Sequence, residues 1–178
     1  YFAALEGEIG LVPESGLEGA KGFAQTSLHP LILRAPFVYR TFAKPLGYAG
    51  DYEMVNQILN DPQQGPTTYF QIVNALFLAS PVAQAHRNRI EILVDRLERT
   101  IVQAQAAGRV FRVLDIGCGP AMEIQRLLGS EANAEMLDFT LMDFSEETLG
   151  YTGSNLAQIN ARRTDPATLH YINDSVHN

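Results

Sequence analysis

The most informative segment of this chain is VLDIGCGP, residues 113–120. An apolar run ends at Asp115, Gly117 and Gly119 follow, and a helix-forming stretch begins after Pro120. Glycine tolerates positive φ and lets the main chain approach a ligand closely. The free N–H groups at the start of the next helix favour an anionic ligand group. The segment therefore predicts a strand, a tight ligand-contacting turn and a helix.

Strand and helix patterns alternate from this segment onward. Strands are predicted over 110–116, 139–144 and 169–173. Helices are predicted between them, over 121–128 and from the N-cap Ser145 to about 162. This alternation is typical of a parallel sheet with crossover helices. The predicted fold class is α/β.

Three helices are also predicted upstream, each with a capping side chain at its start. The first covers 51–60 with Asp51 as its cap, the second runs to about 79 from a cap at Thr67 or Thr68, and the third covers 81–107 with Ser80 as its cap. The second is apolar nearly all round, which predicts burial. In the third, Arg87 with Glu91 has the i,i+4 spacing of a solvent-side ion pair, as has Asp95 with Arg99. His86 of the same helix is expected to be a surface residue or one with its hydrogen bonds satisfied, without a functional role. The first 30 residues have no sustained period and are predicted as loop and short turns, and residues 31–40 as helix or buried extended chain.

The composition excludes several classes of protein. The chain has 178 residues, of which 46% are hydrophobic, enough for a buried core. Its formal charge of −7 argues against binding to nucleic acid phosphates. No apolar run approaches the ~18 residues of a membrane span. The single cysteine, Cys118, excludes an internal disulfide and a cysteine-cluster zinc site, and it fits a cytoplasmic location.

Two ligand classes compete for the glycine turn. The nicotinamide pattern G-x-G-x-x-G fails because Met122 occupies the third glycine position. Asp115, two residues before Gly117, places a carboxylate that suits a cationic ligand group and repels a pyrophosphate. Asp143, at the end of the second strand, is placed to accept both hydroxyls of a ribose. Asp174, after the third strand, is placed to meet an adenine amino group.

The three strand ends also carry a family resemblance. The segments VLDIGCGP, LMDFS and INDSV resemble motifs one, two and three of the class I S-adenosylmethionine-dependent methyltransferases, over residues 110–178. The resemblance implies a Rossmann-like core and S-adenosyl-L-methionine as the cofactor. Ala121 departs from the pattern, since the family often has glycine at that position. The predicted cofactor-binding residues of this region are Asp115, Gly117, Cys118, Gly119, Asp143, Phe144, Asp174 and Ser175.

A second resemblance lies upstream. Residues 44–54, KPLGYAGDYEM, are similar to a segment that precedes the methyltransferase core in bacterial proteins linked to making 3-hydroxypalmitic acid methyl ester. Gly47 and Gly50 bracket a turn whose aromatic and acidic side chains suit a lid over a cationic ligand. Tyr48 and Asp51 therefore join the predicted cofactor-binding set. The alternative is a structural turn that caps a helix, with its tyrosines packed in an interface.

These observations predict a methyltransferase that forms an ester of a small or fatty acid. A carboxylate acceptor needs no general base, and the sequence offers no convincing one. The alternatives are a nicotinamide-dependent oxidoreductase and a non-enzymatic cofactor-binding module. No metal is expected.

The predicted organisation is a mostly helical cap, 1–109, over the carboxyl ends of the strands of a sheet domain, 110–178. Class I cores usually have seven strands, so three predicted strands make this core incomplete. Parallel sheets are normally buried on both faces, and three strands would leave the edge of the first one open. We therefore expect a further ~100 residues after Asn178, or another copy of the chain, to complete the sheet.

Overall fold

A computed structural model gives the fold of residues 2–60, 63–130 and 136–176. The described residues form eight α-helices and three β-strands. In chain order these elements are α1 Phe2–Ile9, α2 Leu17–Ile32, α3 Pro36–Ala43, α4 Tyr52–Asn60, α5 Thr68–Leu78, α6 Pro81–Ala106, β1 Phe111–Ile116, α7 Met122–Gly129, β2 Leu137–Asp143, α8 Glu146–Asn160 and β3 Thr168–Asn173.

The three strands form a parallel sheet in the order β1-β2-β3, which confirms the predicted α/β class and strand count. One face is covered: α7 and α8 pack on each other, α8 contacts β2 and β3, and Phe139 and Leu141 are fully buried. On the opposite face, Leu114 and Ile116 are 58% and 54% exposed. Within the described residues β1 pairs only with β2, so its other edge is open as predicted.

The chain divides into two compact units. One contains Tyr1–Ala43 and Gln63–Phe77, and the other contains Lys44–Pro62 and Leu78–Asn178. This division differs from the predicted boundary between residues 109 and 110. The reason is that α4 packs on α6, and α6 packs on α7 and β1, so both helices belong to the unit that holds the sheet.

The loop predicted for the first 30 residues is wrong, because α1 and α2 occupy most of that segment. Leu17, Ala24, Leu28 and Leu31 do recur at helical spacing, but the glycines between them each cost about 1 kcal/mol of helix propensity and hide the pattern. The stretch 31–40, left open between helix and extended chain, contains the end of α2 and the start of α3.

The first unit has a small core of its own, formed by Ala35, Val38, Phe70 and Val73. The predicted burial of α5 all round is wrong, since Ile72 and Leu76 are 64% and 49% exposed. Only the stripe of α5 that bears Phe70 and Val73 packs into this core. The polar side chain of Asn74 is also fully buried, because its Oδ1 accepts a hydrogen bond from the Phe37 N–H at 2.8 Å.

Three of the predicted helix caps are confirmed, and the cap predicted at Thr67 or Thr68 stays a prediction. The Asp51, Ser80 and Ser145 side chains each accept a hydrogen bond from the backbone N–H three residues later, at 2.8, 3.4 and 3.2 Å. Each cap satisfies one of the N–H groups that a helix start leaves unpaired. Asp51, predicted to contact a cofactor, is therefore a buried N-cap of α4.

One predicted ion pair on α6 does not form. The Arg87 guanidinium donates instead to the carbonyl oxygens of Ile58 and Leu78, both at 2.9 Å, because unpaired carbonyls at helix ends attract a cationic donor. Glu91 pairs with Arg126 of α7. The other predicted pair, Asp95 with Arg99, is present with an Oδ1 to Nη2 distance of 2.8 Å.

No helix in the described ranges has the length and apolar character that crossing a membrane requires.

Candidate functional site

A cleft of about 380 Å³ opens at the carboxyl end of β1. The glycine turn forms its floor, and parts of α4, α6 and α7 form its walls. The lining residues are Gly50, Val55, His86, Arg89, Ile90, Leu93 and residues 115–123. The cleft therefore lies where ligands of open α/β sheets bind.

The turn needs its glycines for conformation. Gly117 and Gly119 have φ values of 68° and 52°, and a Cβ built on either would meet no atom within 4 Å. Left-handed backbone, and not lack of space, is what excludes larger residues at these positions. Ala121 is buried and also left-handed, with φ at 47°, which costs an alanine about 1 kcal/mol. The departure from glycine at Ala121 thus adds backbone strain to the turn.

Hydrogen bonds from β2 and α8 hold the turn in place. The N–H groups of Gly117 and Cys118 donate to the Met142 carbonyl at 2.8 and 3.1 Å. The Gly119 carbonyl accepts a hydrogen bond of 2.6 Å from Thr152 Oγ1, which is fully buried. The turn is consequently formed before any ligand binds, which lowers the entropic cost of binding.

Asp143 takes part in the same bracing. It is 6% exposed, and its Oδ2 accepts from the Gly119 N–H at 3.1 Å while its Oδ1 accepts from the Ser145 N–H at 3.0 Å. Each carboxylate oxygen still has a second lone pair. Asp143 is not among the residues that line the cleft, so its contact with ribose hydroxyls stays a prediction, and in the structure it links the glycine turn to the start of α8.

Asp115 is in a different state. Its Oδ2 is buried and accepts no hydrogen bond from an N–H or hydroxyl group of the described residues. Burial raises the pKa of Asp115, and the negative charge of Asp143 adds to this, while a hydrogen bond with Glu123 and the charge of Arg89 oppose it. A buried carboxylate oxygen without an N–H or hydroxyl donor is costly unless a proton or a cationic group reaches it.

Glu123, in the first turn of α7, is a site residue that the sequence analysis missed. Burial raises the pKa of Glu123 to about 7, with the Asp115 charge as the next cause. The hydrogen bond between the two carboxyl groups raises the pKa of Glu123 and lowers that of Asp115. Glu123 is therefore the member of the pair that holds a proton near neutral pH.

His86 and Arg89 of α6 form a second missed pair. Arg89 Nη2 lies 3.2 Å from His86 Nδ1, and because a guanidinium only donates, Nδ1 is the acceptor. Burial, followed by the Arg89 charge, lowers the pKa of His86. The imidazole is thus neutral near pH 7 and carries its proton on Nε2.

The predicted lid segment lies against α8 and the cleft. The Tyr48 ring packs edge-on against Phe144 at 4.7 Å between centroids, and its hydroxyl lies 3.2 Å from Thr148 Oγ1. Tyr52 stacks on Tyr151, and Gly50 lines the cleft. Gly50 of this segment lies in the same cleft as the glycine turn, and contact of Tyr48 and Asp51 with a cofactor stays a prediction.

Of the remaining predicted site residues, Asp174 and Ser175 lie outside the cleft, and Cys118 lines it without a reactive thiol. The exposed Asp174 accepts a 2.7 Å hydrogen bond from the Ser175 N–H just beyond β3, and neither residue lines the cleft. Cys118 does line it, but burial and then the charges of Asp115 and Asp143 raise the pKa of its thiol to about 12. Such a thiol is not a nucleophile at neutral pH.

In the ranges that the structure describes, no group of three or more His, Cys, Asp or Glu side chains is placed to hold a metal ion. Comparisons with models of protein families, with curated proteins and with solved structures give no match to this chain.

Proposed function

We propose that this chain binds S-adenosyl-L-methionine and catalyses transfer of its methyl group to the carboxylate of a small or fatty acid. In this proposal the sheet belongs to a Rossmann-like methyltransferase core. The observation that carries the proposal is the buried carboxyl pair of Asp115 and Glu123, in which Asp115 Oδ2 has no N–H or hydroxyl donor among the described residues, in a cleft lined by the glycine turn.

The charge pattern supports a cationic ligand group. Burial raises the pKa values of both carboxyl groups because it disfavours their ionised forms. A neighbouring ammonium or sulfonium would stabilise the ionised forms by charge attraction. The pyrophosphate of a nicotinamide dinucleotide would bring two more negative charges to Asp115 and Asp143. This repulsion disfavours the oxidoreductase alternative.

When bound, the cofactor supplies an electrophilic methyl group on a positively charged sulfur. The residues of this chain bind and orient the reactants. Asp115 and Glu123 would face the positive charge, Asp143 holds the turn and would offer its remaining lone pairs to hydroxyl groups, and the Phe144 ring, just beyond β2, packs against Tyr48. Placing donor and acceptor in line is then the main source of rate acceleration.

Calorimetric titration of the chain with S-adenosyl-L-methionine and, separately, with NAD tests the binding step. We expect saturable binding of the first and none of the second. Asp115→Asn should weaken binding at least tenfold, whereas the control Asp138→Asn, at an aspartate paired with Arg112 on the opposite sheet face, should not. Binding of NAD alone would overturn the proposal.

Methyl transfer is tested with S-adenosyl-L-methionine labelled in its methyl group and with octanoate or hexadecanoate as the acceptor. The expected product is the labelled methyl ester, recovered in organic solvent. Cofactor binding without ester formation from any carboxylic acid would overturn the enzymatic half of the proposal and favour the binding-module alternative.

A further inference from the structure

The cleft carries opposite charge on two of its walls. Asp115 and Glu123 lie on the side of β1 and α7, and Arg89 lies on α6 with His86 one helical turn before it. Arg89 is close enough to influence the titration of both carboxyl groups. The positive end therefore belongs to the same cleft and not to a separate surface.

The Arg89 guanidinium has N–H groups beyond the one that faces His86. It carries five N–H groups, and its Nη2 faces His86 Nδ1. Among the described residues it forms no salt bridge with a carboxylate. His86 contributes a further donor, because accepting at Nδ1 leaves the proton on Nε2. The two side chains together present the N–H groups that a carboxylate would accept.

We propose that His86 and Arg89 form the subsite that binds the carboxylate of the methyl acceptor. This inference rests on the proposed methyl transfer and names the recognition of its second substrate. Arginine binds carboxylates in a two-pronged geometry, which fixes the orientation of the attacking oxygen. Ile90 and Leu93 line the cleft on the same helix and give an aliphatic tail an apolar surface.

The charge balance of the reaction matches this arrangement. A lone pair of the carboxylate oxygen forms the new O–CH₃ bond, and the electron pair of the S–CH₃ bond stays on sulfur. One negative and one positive charge disappear, no proton moves, and a neutral ester and a neutral thioether remain. The ester no longer attracts Arg89, so its release is favoured over that of the acid.

Binding of octanoate is measured by NMR on isotope-labelled protein without cofactor, following the Arg89 Nε–H and His86 imidazole resonances. Octanamide serves as the neutral probe of the same length. We expect saturable shifts with octanoate and at least tenfold weaker binding of octanamide. Arg89→Met should weaken octanoate binding at least tenfold, and Arg89→Lys should lie between Arg89→Met and the wild type.

Arg99→Met is the matched control, since it removes the same charge from an exposed site on the same helix, and it should leave octanoate binding within twofold. A separate titration with S-adenosyl-L-methionine identifies the source of the carboxylate. Arg89→Met should not weaken cofactor binding, because it removes a positive charge near the two carboxyl groups that would face the positive charge of the cofactor. If it abolishes cofactor binding and spares octanoate, Arg89 serves the carboxylate of the cofactor and the inference is wrong.

Failure of the inference can be distinguished from failure of the proposed function. Absence of S-adenosyl-L-methionine binding to the wild-type chain would overturn the proposed function, whatever octanoate does. Cofactor binding together with equal affinity for octanoate and octanamide would overturn only the acceptor subsite.

Discussion

Asp115 and Asp143 lie at the carboxyl ends of neighbouring parallel strands and on the same face of the sheet, yet they are in opposite states. The register pairs Asp115 with Leu141, so Asp143 lies two residues further along its strand and is a diagonal neighbour of Asp115. Both oxygens of Asp143 accept backbone N–H groups. One oxygen of Asp115 is buried without such a donor.

This difference separates two uses of one residue type. Asp143 stabilises the glycine turn through bonds that exist without a ligand. Asp115 and Glu123 form a buried carboxyl pair that costs stability when both groups are ionised, and a cationic ligand lowers that cost, which is the pattern expected of a binding site. Substitution of Asp143 should accordingly lower the free energy of unfolding, whereas substitution of Asp115 should not.

The largest effect is expected from Asp143→Ala. It removes two hydrogen bonds to a buried carboxylate and leaves the Gly119 and Ser145 N–H groups unpaired, so the free energy of unfolding should fall by about 3 kcal/mol. Urea denaturation followed by circular dichroism measures this loss. Asp174→Ala, at an exposed strand-end aspartate, is the control and should cost less than about 1 kcal/mol. Equal losses in the two variants would contradict the bracing role of Asp143.

Glu123→Gln should stabilise the fold, and increasingly so as the pH rises. The pKa of Glu123 is raised from 4.5 to about 7 by burial and by Asp115, so the folded state holds this proton more tightly than the unfolded state. The stability linked to Glu123 is thus complete below pH 4.5 and is lost as the pH rises through 7. The variant avoids that loss and should gain about 2 kcal/mol at pH 8, somewhat less than full linkage because Glu123 keeps some solvent contact.

Urea denaturation of wild type and Glu123→Gln at pH 4 and pH 8 measures the effect. The same substitution at the exposed Glu98 of α6 is the control and should change the free energy of unfolding by less than about 0.5 kcal/mol. A variant that is no more stable than wild type at pH 8 would show that Glu123 ionises as an ordinary surface carboxylate.

Asp115→Asn separates stability from binding. The amide removes the charge that repels Glu123, so the free energy of unfolding should not fall at pH 8. Affinity for S-adenosyl-L-methionine should nevertheless drop about tenfold, or 1.4 kcal/mol. Denaturation and calorimetry on the same sample check both quantities. A parallel loss of stability and affinity, as expected for Asp143→Ala, would remove the distinction between the two aspartates.

The sequence predicts the features that depend on neighbouring residues. Strand ends at Asp115 and Asp143 follow from apolar runs that stop at an acidic residue, and the Ser80 and Ser145 caps follow from the residue types that start helices. The glycine turn follows from residues whose positive φ few others tolerate.

The missed residues depend on packing between distant elements. The spacing along α6 shows which residues share a face, but not that His86 and Arg89 meet the glycine turn. Glu123 resembled an ordinary first-turn acidic residue of α7, which the helix dipole alone would explain. Its burial beside Asp115 arises only when the turn folds back over β1.

The smallest effect is expected from Tyr48→Phe, which tests how the lid segment is attached near the strand ends. The change removes the hydroxyl that lies 3.2 Å from Thr148 Oγ1, but keeps the ring packed on Phe144. Because Thr148 is fully buried, its hydroxyl loses a partner, and the free energy of unfolding should fall by about 1 kcal/mol. Tyr69→Phe, at a half-exposed ring of α5, is the matched control and should change stability by less than about 0.5 kcal/mol. If Tyr48→Phe is equally silent in urea denaturation, Tyr48 contributes only through the packing of its ring on Phe144, and Tyr48→Ala should then measure the whole contribution of this side chain.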